Sequence, residues 1–371
     1  MDKILITGGH VTPALAVIDT LRAEGDFEII FVGRMHATEG STALSAEYEL
    51  VGAKSIRFLP ITTGRLQRTL TWRTIPSLLK IPVGFWQAYR YCVREKPSLI
   101  VSFGGYIALP VAVAGWALGI PVITHEQTRT AGLTNRIIAG IAKRVCVTFD
   151  RTATQFPEAK TVVTGLPMRK ELFSPPNTCP FAIKDTGRPV LYITGGSVGA
   201  RSLNRLLYPV IAALTHTFTV IHQTGTGSLE EASRSRQLLP ARIRSRYITD
   251  AFLDVKKLSW VLAHAGLVVG RAGANTTVEC AALGKVAILV PLPWSAGGEQ
   301  TVNAKWLEHN GGAKVLEQRG LSSENLLGEI ERMWKHHESL ERRAGLFAPS
   351  VPRDGAARLA REIVSLLATG V

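Results

Sequence analysis

The feature that most constrains this chain is an alternation that runs from end to end. Apolar runs of three to five residues are separated by amphipathic stretches. A run without polar interruption must be covered on both faces, and that is the condition of a strand inside a parallel sheet with helices packed above and below. Runs of this kind stand at residues 4–6, 29–32, 99–102, 122–125 and 145–148, and again at 190–194, 219–222, 267–269, 287–290 and 314–316. The first run of each half leads into glycines and then a helical stretch. Thr7-Gly8-Gly9-His10 does so in the first half and Thr194-Gly195-Gly196-Ser197-Val198-Gly199-Ala200 in the second. The repeat predicts an α/β chain of two Rossmann-like domains facing across a cleft, with ligands held outside the carboxyl ends of the strands. The expected boundaries are residues 1–166, a linker at 167–188 where Pro167, Pro175, Pro176 and Pro180 crowd together, and a second domain at 189–350. A terminal helix at 351–371 is free to pack back on the first domain.

With 371 residues, 46% of them hydrophobic, the chain can bury two ordinary cores. Its 43 basic and 29 acidic side chains leave a net charge of +14, which attracts nucleic acid, an anionic bilayer or phosphorylated substrates. No recognition-helix signature or RNA-binding motif supports the first of these. Cys92, Cys146, Cys179 and Cys280 form no CxxC pair, which argues against a zinc site or a disulfide framework. The opening Ile4-Leu5-Ile6 breaks into glycines too early for a signal peptide. Residues 97–124 carry no charged side chain and are long enough to cross a bilayer. However, Gly104-Gly105, Pro110, Gly119 and Pro121 divide them into strand, helix and strand, so a βαβ unit is expected.

A glycine loop that opens a helix can hold phosphate, because unpaired backbone N–H groups and the helix dipole converge there. Residues 195–200 fit that description, with Ser197 adding a hydroxyl, although close helix–strand packing alone can also require such glycines. Neither half offers a clean GxGxxG with a following acid, so NAD is disfavoured. A second cluster, Gly270-Arg271-Ala272-Gly273-Ala274-Asn275-Thr276-Thr277-Val278-Glu279, again follows a buried run. Arg271 there can face a diphosphate and Glu279 a diol such as ribose. His10, at the positive end of the first helix, is disfavoured as imidazolium, so it reads either as a base or as a plain helix cap. His125-Glu126-Gln127 brings polar groups to the same edge. No DxD occurs, so arginines and helix dipoles, in place of a metal, would stabilise a departing diphosphate.

Taken together these motifs resemble the MurG family of UDP-N-acetylglucosamine transferases, in glycosyltransferase family 28, which complete lipid II from lipid I. The likeness covers nearly the whole chain. Its anchors are Gly8-Gly9-His10-Val11-Thr12-Pro13-Ala14-Leu15-Ala16, Gly104-Gly105-Tyr106, His125-Glu126-Gln127 with Ala131-Gly132-Leu133-Thr134-Asn135, and Thr164-Gly165-Leu166-Pro167-Met168-Arg169. They continue through the 195–200 loop, His222-Gln223-Thr224-Gly225, Arg271-Ala272-Gly273-Ala274, and Glu299-Gln300 with Asn303-Ala304. The resemblance implies the GT-B fold and an inverting transfer without metal or cofactor. It also implies peripheral attachment to the cytoplasmic face of the membrane, and no nucleic-acid partner. It assigns Arg169, Gly196, Ser197, Leu253, Arg271, Gly273, Ala274, Glu279, Gln300 and Asn303 to UDP-N-acetylglucosamine. Gly9, Gly105, Tyr106, Glu126, Thr128 and Asn135 fall to undecaprenyl-linked lipid I, and His10 to the base. A UDP-N-acetylglucosamine 2-epimerase or a glycolipid synthase is the alternative on the same fold. Three positions depart from the family pattern. Thr7 leads straight into Gly8-Gly9-His10 where a longer glycine run is usual, Thr128 replaces an Asn, and Val198 replaces a Gln.

Residues 65–94 interleave Arg65, Arg68, Arg73, Lys80, Arg90 and Arg94 with Trp72, Ile75, Leu78, Leu79, Phe85 and Trp86. Apolar and aromatic side chains beside basic ones suit a surface that dips into an anionic inner-membrane leaflet, although they can equally line helices packed on the sheet. Pro76 and Pro82 predict short pieces here in place of one long helix.

Overall fold

The computed structural model describes residues 1–36, 44–64, 74–183, 187–196 and 199–369. The chain divides into two compact units, Met1–Arg169 with Arg353–Val371, and Lys170–Pro352.

The sheet of the first unit consists of β1 (Asp2–Thr7), β2 (Phe27–Gly33), β3 (Arg57–Pro60), β4 (Leu99–Ser102), β5 (Val122–Glu126), β6 (Arg144–Val147) and β7 (Thr161–Val163). They lie in the order β3-β2-β1-β4-β5-β6-β7, every pair parallel. Among its helices are α1 (Val11–Glu24), α2 (Ala46–Gly52), α3 (Thr74–Glu95), α4 (Ala108–Ala117) and α5 (Leu133–Ile141). Side chains of a strand alternate between faces, so neighbours in β1 enter different cores. Ile4 and Ile6 join Val11, Leu15, Ile18 and Leu21 of α1 on one face, while Leu5 joins Ala88 and Cys92 of α3 and Val111 of α4 on the other. Each such fully buried aliphatic contributes on the order of 1.5–3 kcal/mol. α1 begins one residue after the glycine pair and stops at Gly25, which turns extended and donates its N–H to Leu21 O at 3.0 Å. The helix Gly355–Ala368 brings Leu359, Ala360 and Ile363 to the α1 face, at the spacing of one helical stripe.

The uncharged stretch at 97–124 folds as β4, α4 and β5. No helix among the described residues is long and apolar enough to cross a membrane. The expected break at Pro76 and Pro82 is corrected: α3 runs unbroken for 22 residues. Pro76 lies in the first turn, where no intrahelical donor is needed. Pro82 lies on the exposed side, where water can meet the carbonyl left without a donor.

The second unit repeats the plan with β8 (Val190–Thr194), β9 (Thr219–Gln223), β10 (Tyr247–Asp250), β11 (Ala265–Gly270), β12 (Ala287–Leu289) and β13 (Ala313–Val315). These too are all parallel, in the order β10-β9-β8-β11-β12-β13. In each sheet the order of strands reverses beside the first strand, between β1 and β4 and between β8 and β11. That reversal opens a crevice at the carboxyl ends. The apolar-run pattern missed β3, β7 and β10, which all lie at sheet edges. Arg57-Phe58-Leu59-Pro60 is partly exposed, and Thr161-Val162-Val163 is only half-buried.

Candidate functional site

At the reversal point of the first unit the loops after β1 and β4 lock together through backbone. Gly9 N–H donates to Gly104 O at 3.0 Å, and a methyl on Gly8 would stand 2.8 Å from the Phe103 backbone. Gly105 lies against Gly9, and Tyr106 follows with the Arg34 guanidinium 5.8 Å from its ring centre. The loop after β5 is organised by one buried carboxylate. Glu126 accepts from Thr128 N–H (2.9 Å), Thr128 Oγ1 (2.9 Å), Gly132 N–H (2.9 Å) and Asn135 Nδ2 (2.8 Å). Asn135 accepts in turn from Thr124 Oγ1 at 3.0 Å, and Gln127 Nε2 donates to Phe103 O at 3.2 Å. Gly9, Gly105, Glu126, Thr128 and Asn135 therefore belong to one braced surface. Thr128, where the family pattern has Asn, still supplies a backbone and a hydroxyl donor to the acid.

His10 stands at the rim of that surface. It occupies the N-cap position of α1 but makes no side-chain capping bond, so the capping role open to it in the sequence is not filled. The ring is exposed to solvent. Desolvation by the surrounding protein lowers its pKa from the ordinary value, with the Glu126 and Glu47 carboxylates pulling the other way. A neutral, unpartnered imidazole with an open approach is what a general base requires. His125 is fully buried beside Phe103. Burial pushes its pKa down to about 4 against the bond with Gly165 O, and nearby His10 lowers it further. The neutral ring donates from Nε2 to Gly165 O at 3.1 Å, leaving Nδ1 buried without a partner.

In the second unit, the loop after β8 is closed by backbone contact. A methyl on Gly195 would stand 2.2 Å from Ala200 N, and one on Gly199 would stand 2.5 Å from Thr224 O. Thr194 Oγ1 accepts from Gly196 N–H at 3.0 Å, and Gly196 O accepts from Gln223 Nε2 at 2.9 Å. Ser197 and Val198 lie outside the described residues. Across the reversal point, Arg271 N–H donates to Thr194 O at 3.2 Å, and Gly273 precedes the helix Ala274–Ala282, which carries Glu279 on its buried side. Asn303 donates to Ala272 O at 3.3 Å and keeps Oδ1 buried and unpartnered. Gln300 accepts from Leu292 N–H at 2.9 Å. Leu253 is buried at the end of the β10 loop, where Phe252 N–H reaches Asp250 Oδ1 at 3.4 Å and Asp254 caps the next helix through Lys257 N–H. Arg271 is the exception to its sequence reading as a diphosphate partner. Its guanidinium is turned inward, donating to Val290 O (2.8 Å), Ser202 Oγ (2.6 Å) and Gln318 Oε1 (2.5 Å). It braces three segments of this unit. Arg169 closes the first unit, with Nε buried and without a partner.

Two glycine crevices on parallel sheets are shared by many enzymes, so the comparison with known proteins decides. The glycosyltransferase family 28 N-terminal domain matches residues 7–147, and its C-terminal domain matches residues 190–358. A relative from Clostridium novyi, named as UDP-N-acetylglucosamine–N-acetylmuramyl-(pentapeptide) pyrophosphoryl-undecaprenol N-acetylglucosamine transferase, is 34% identical over 91% of each chain. The chain belongs to glycosyltransferase family 28. Among solved structures, Acinetobacter baumannii MurG is 27% identical, with a TM-score of 0.67, over 98% of this chain and 100% of that one. A UDP-GlcNAc 2-epimerase from Neisseria meningitidis also superposes over the whole of both chains, with a TM-score of 0.62 at 13% identity, a likeness of fold alone. The fold is therefore that of both rival enzymes, and the relatives in sequence place the chain with the transferases.

Within this family 28 chain, Glu47, which acts on His10, and its partner Arg34 escaped the sequence reading. Glu47 on α2 is buried and acts on the His10 charge, and it also accepts from Arg34 N–H at 3.1 Å. Neither residue lies in a motif, and the only signal was an acid among apolar neighbours. Of the residues assigned to the membrane, Trp72 and the Ile75 side chain lie outside the described residues. Leu79 (72% exposed) and Trp86 (58% exposed) project from α3 together with Val83 and Val93, while Phe85 is half-buried. Positions 79, 83, 86, 90 and 93 share one helical face, opposite the buried Gly84, Ala88 and Cys92. Arg90 stacks on Trp86 at 4.8 Å.

Proposed function

We propose that this chain transfers N-acetylglucosamine from its UDP donor to undecaprenyl-pyrophosphoryl-N-acetylmuramyl-pentapeptide, with inversion at the sugar carbon. One observation carries the reading: His10 is an accessible, unpartnered, neutral imidazole on a surface braced by Glu126, in a chain 34% identical to a transferase of that name. His10 takes the proton of the acceptor hydroxyl, whose oxygen attacks C1 of the donor sugar from the face opposite the diphosphate. The C1–O bond to the diphosphate breaks, and UDP leaves with the electron pair. The 195–200 loop, the N-terminus of the helix Ala274–Ala282 and Arg169 serve the departing charge. Glu279 serves the ribose, the Leu253 backbone the uracil, and Gln300 and Asn303 the sugar. Gly9, Gly105, Tyr106, Glu126, Thr128 and Asn135 form the acceptor side. In this reading no metal is called on, because the helix terminus and the Arg169 guanidinium meet the departing charge.

The acceptor is a lipid, and the outer face of α3 supplies what an anionic bilayer surface binds: exposed Leu79, Val83, Trp86 and Val93 beside Arg90 and Arg94. We place the chain peripherally on the cytoplasmic face of the membrane, held through this helix. Leu79→Glu with Trp86→Glu is expected to abolish sedimentation with phosphatidylglycerol vesicles while leaving the melting temperature unchanged, and undiminished sedimentation would remove α3 from this role. The function itself is tested by incubating the protein with labelled UDP-N-acetylglucosamine and lipid I in chelator. Label at the lipid II position is expected. Release of UDP with a free sugar and no labelled lipid would favour the epimerase reading.

A further inference from the structure

Away from the two crevices, the second unit carries a cavity of about 540 Å³ lined by Ala182, Arg236, Ala241, Arg244, Ser245, Ile248 and Thr249. It lies beside β10, the edge strand, and none of the residues assigned to donor or acceptor lines it. Both arginines are held in place through backbone carbonyls. Arg236 donates from Nε to Tyr247 O at 2.8 Å, and Arg244 donates from Nη2 to Gln237 O at 2.9 Å and from Nε to Leu239 O at 3.2 Å. These bonds leave both Nη groups of Arg236 and Nη1 of Arg244 without a partner among the described residues. The Ser245 and Thr249 hydroxyls are likewise unpartnered. No acid lines the cavity, and residues 232–249 contain five arginines and no Asp or Glu.

We propose that this cavity is a binding site for a phosphate group, separate from the site of the UDP diphosphate. The donor set is guanidinium and hydroxyl, the pairing that recognises phosphate oxygens bidentately, and lysine is absent from it. Tethering each guanidinium through Nε removes most of the ordering cost that a free arginine side chain would meet on binding. The volume exceeds what a bare phosphate needs, so the ligand carries further atoms beyond the phosphate. A soluble phosphate ester and the phosphodiester of an anionic lipid headgroup share this chemistry.

The test is calorimetric titration of the full chain with inorganic phosphate, glycerol 3-phosphate and phosphatidylglycerol vesicles. Saturating UDP blocks the donor site, and Leu79→Glu with Trp86→Glu silences α3. Binding of at least one probe is expected, weakened about tenfold or more in Arg236→Gln/Arg244→Gln, the scale of a lost charge-assisted bond. Those arginines also brace the chain, so Ser245→Asp is the second variant. It leaves every arginine bond in place and sets a negative charge in the cavity, and it too is expected to weaken binding about tenfold or more. Uptake of the soluble ester assigns the site to a free metabolite, and uptake of vesicles alone assigns it to lipid. Equal affinity in wild type and Ser245→Asp, or no binding of any probe by the wild type, overturns the proposal.

Discussion

The two crevices sit at equivalent places in sheets of seven and six strands that share the order of their first six, and both rest on glycine packing, yet that packing is reinforced differently. In the first unit the backbone packing of Gly8 on Phe103 and of Gly9 on Gly104 is reinforced by one side chain: the Glu126 carboxylate gathers four donors from the residues that follow it. In the second unit the organising is done by backbone approach, with Gly195 against Ala200 and Gly199 against Thr224. A side-chain brace can be built beneath the surface and leaves the rim free for a projecting group, which here is His10. Close backbone packing brings main-chain amides and a helix terminus near one another, which suits an anion. Topology sets where a ligand can bind, and the way the loop is closed sets which chemistry meets it.

The comparison can be broken most directly at Glu126. Glu126→Ala leaves the Thr128 N–H buried without its acceptor and takes from Asn135 Nδ2 the shorter of its two bonds, the other being to His125 O at 3.3 Å, so a loss of about 3 kcal/mol is expected in urea unfolding. A loss under about 1 kcal/mol would show that the carboxylate does not organise the loop. The corresponding test in the second unit is Gly195→Ala, where the added methyl must displace backbone. About 3 kcal/mol and a collapse of UDP affinity are expected, the latter read by equilibrium dialysis.

Acid sharpens the contrast further. Each unit buries a neutral histidine, His125 pushed down to about 4 and His222, between Tyr247 and Asn204, to about 3. An unfolded histidine titrates near 6.5, so the unfolded chain takes up protons that the folded chain refuses. Both contributions are whole above about pH 6.5 and erode at about 1.4 kcal/mol per pH unit as the pH falls, that of His125 down to about 4 and that of His222 down to about 3. Urea melts of His222→Gln should lose this slope over the whole window, whereas His125→Gln should lose it only above pH 4. Identical slopes in both variants and wild type would mean that neither ring is buried neutral. The smallest effect is expected at Gly196, where a methyl meets open space and only the left-handed φ of 80° resists it. Gly196→Ala should cost about 1 kcal/mol.

The same contrast between side chain and backbone accounts for what could be read from residues alone. Interior strands such as β1, β4, β8 and β11 are apolar on both faces and declare themselves as unbroken runs. Edge strands such as β3, with Arg57 and Pro60, have one neighbour and one wet side, so they lack that signature. Gly8-Gly9-His10 and the second-unit glycines marked both crevices, because close backbone approach requires glycine at fixed local spacing. The inward turn of Arg271 was not legible. Its partners Ser202 and Gln318 are 69 and 47 residues away, and nothing local distinguishes a brace from a ligand contact. Nor was the continuity of α3, since a proline's cost depends on which side of the helix faces water.

We propose a division of labour, with chemistry at the rim of the first unit and nucleotide held by the second. It is tested most directly by measuring kcat for sugar transfer and UDP affinity side by side in His10→Ala. A fall in kcat of about 10²- to 10⁴-fold is expected, as for loss of a general base, with UDP affinity and melting temperature unchanged. Wild-type kcat in that variant, or a loss of UDP affinity that matches the loss of rate, would contradict it.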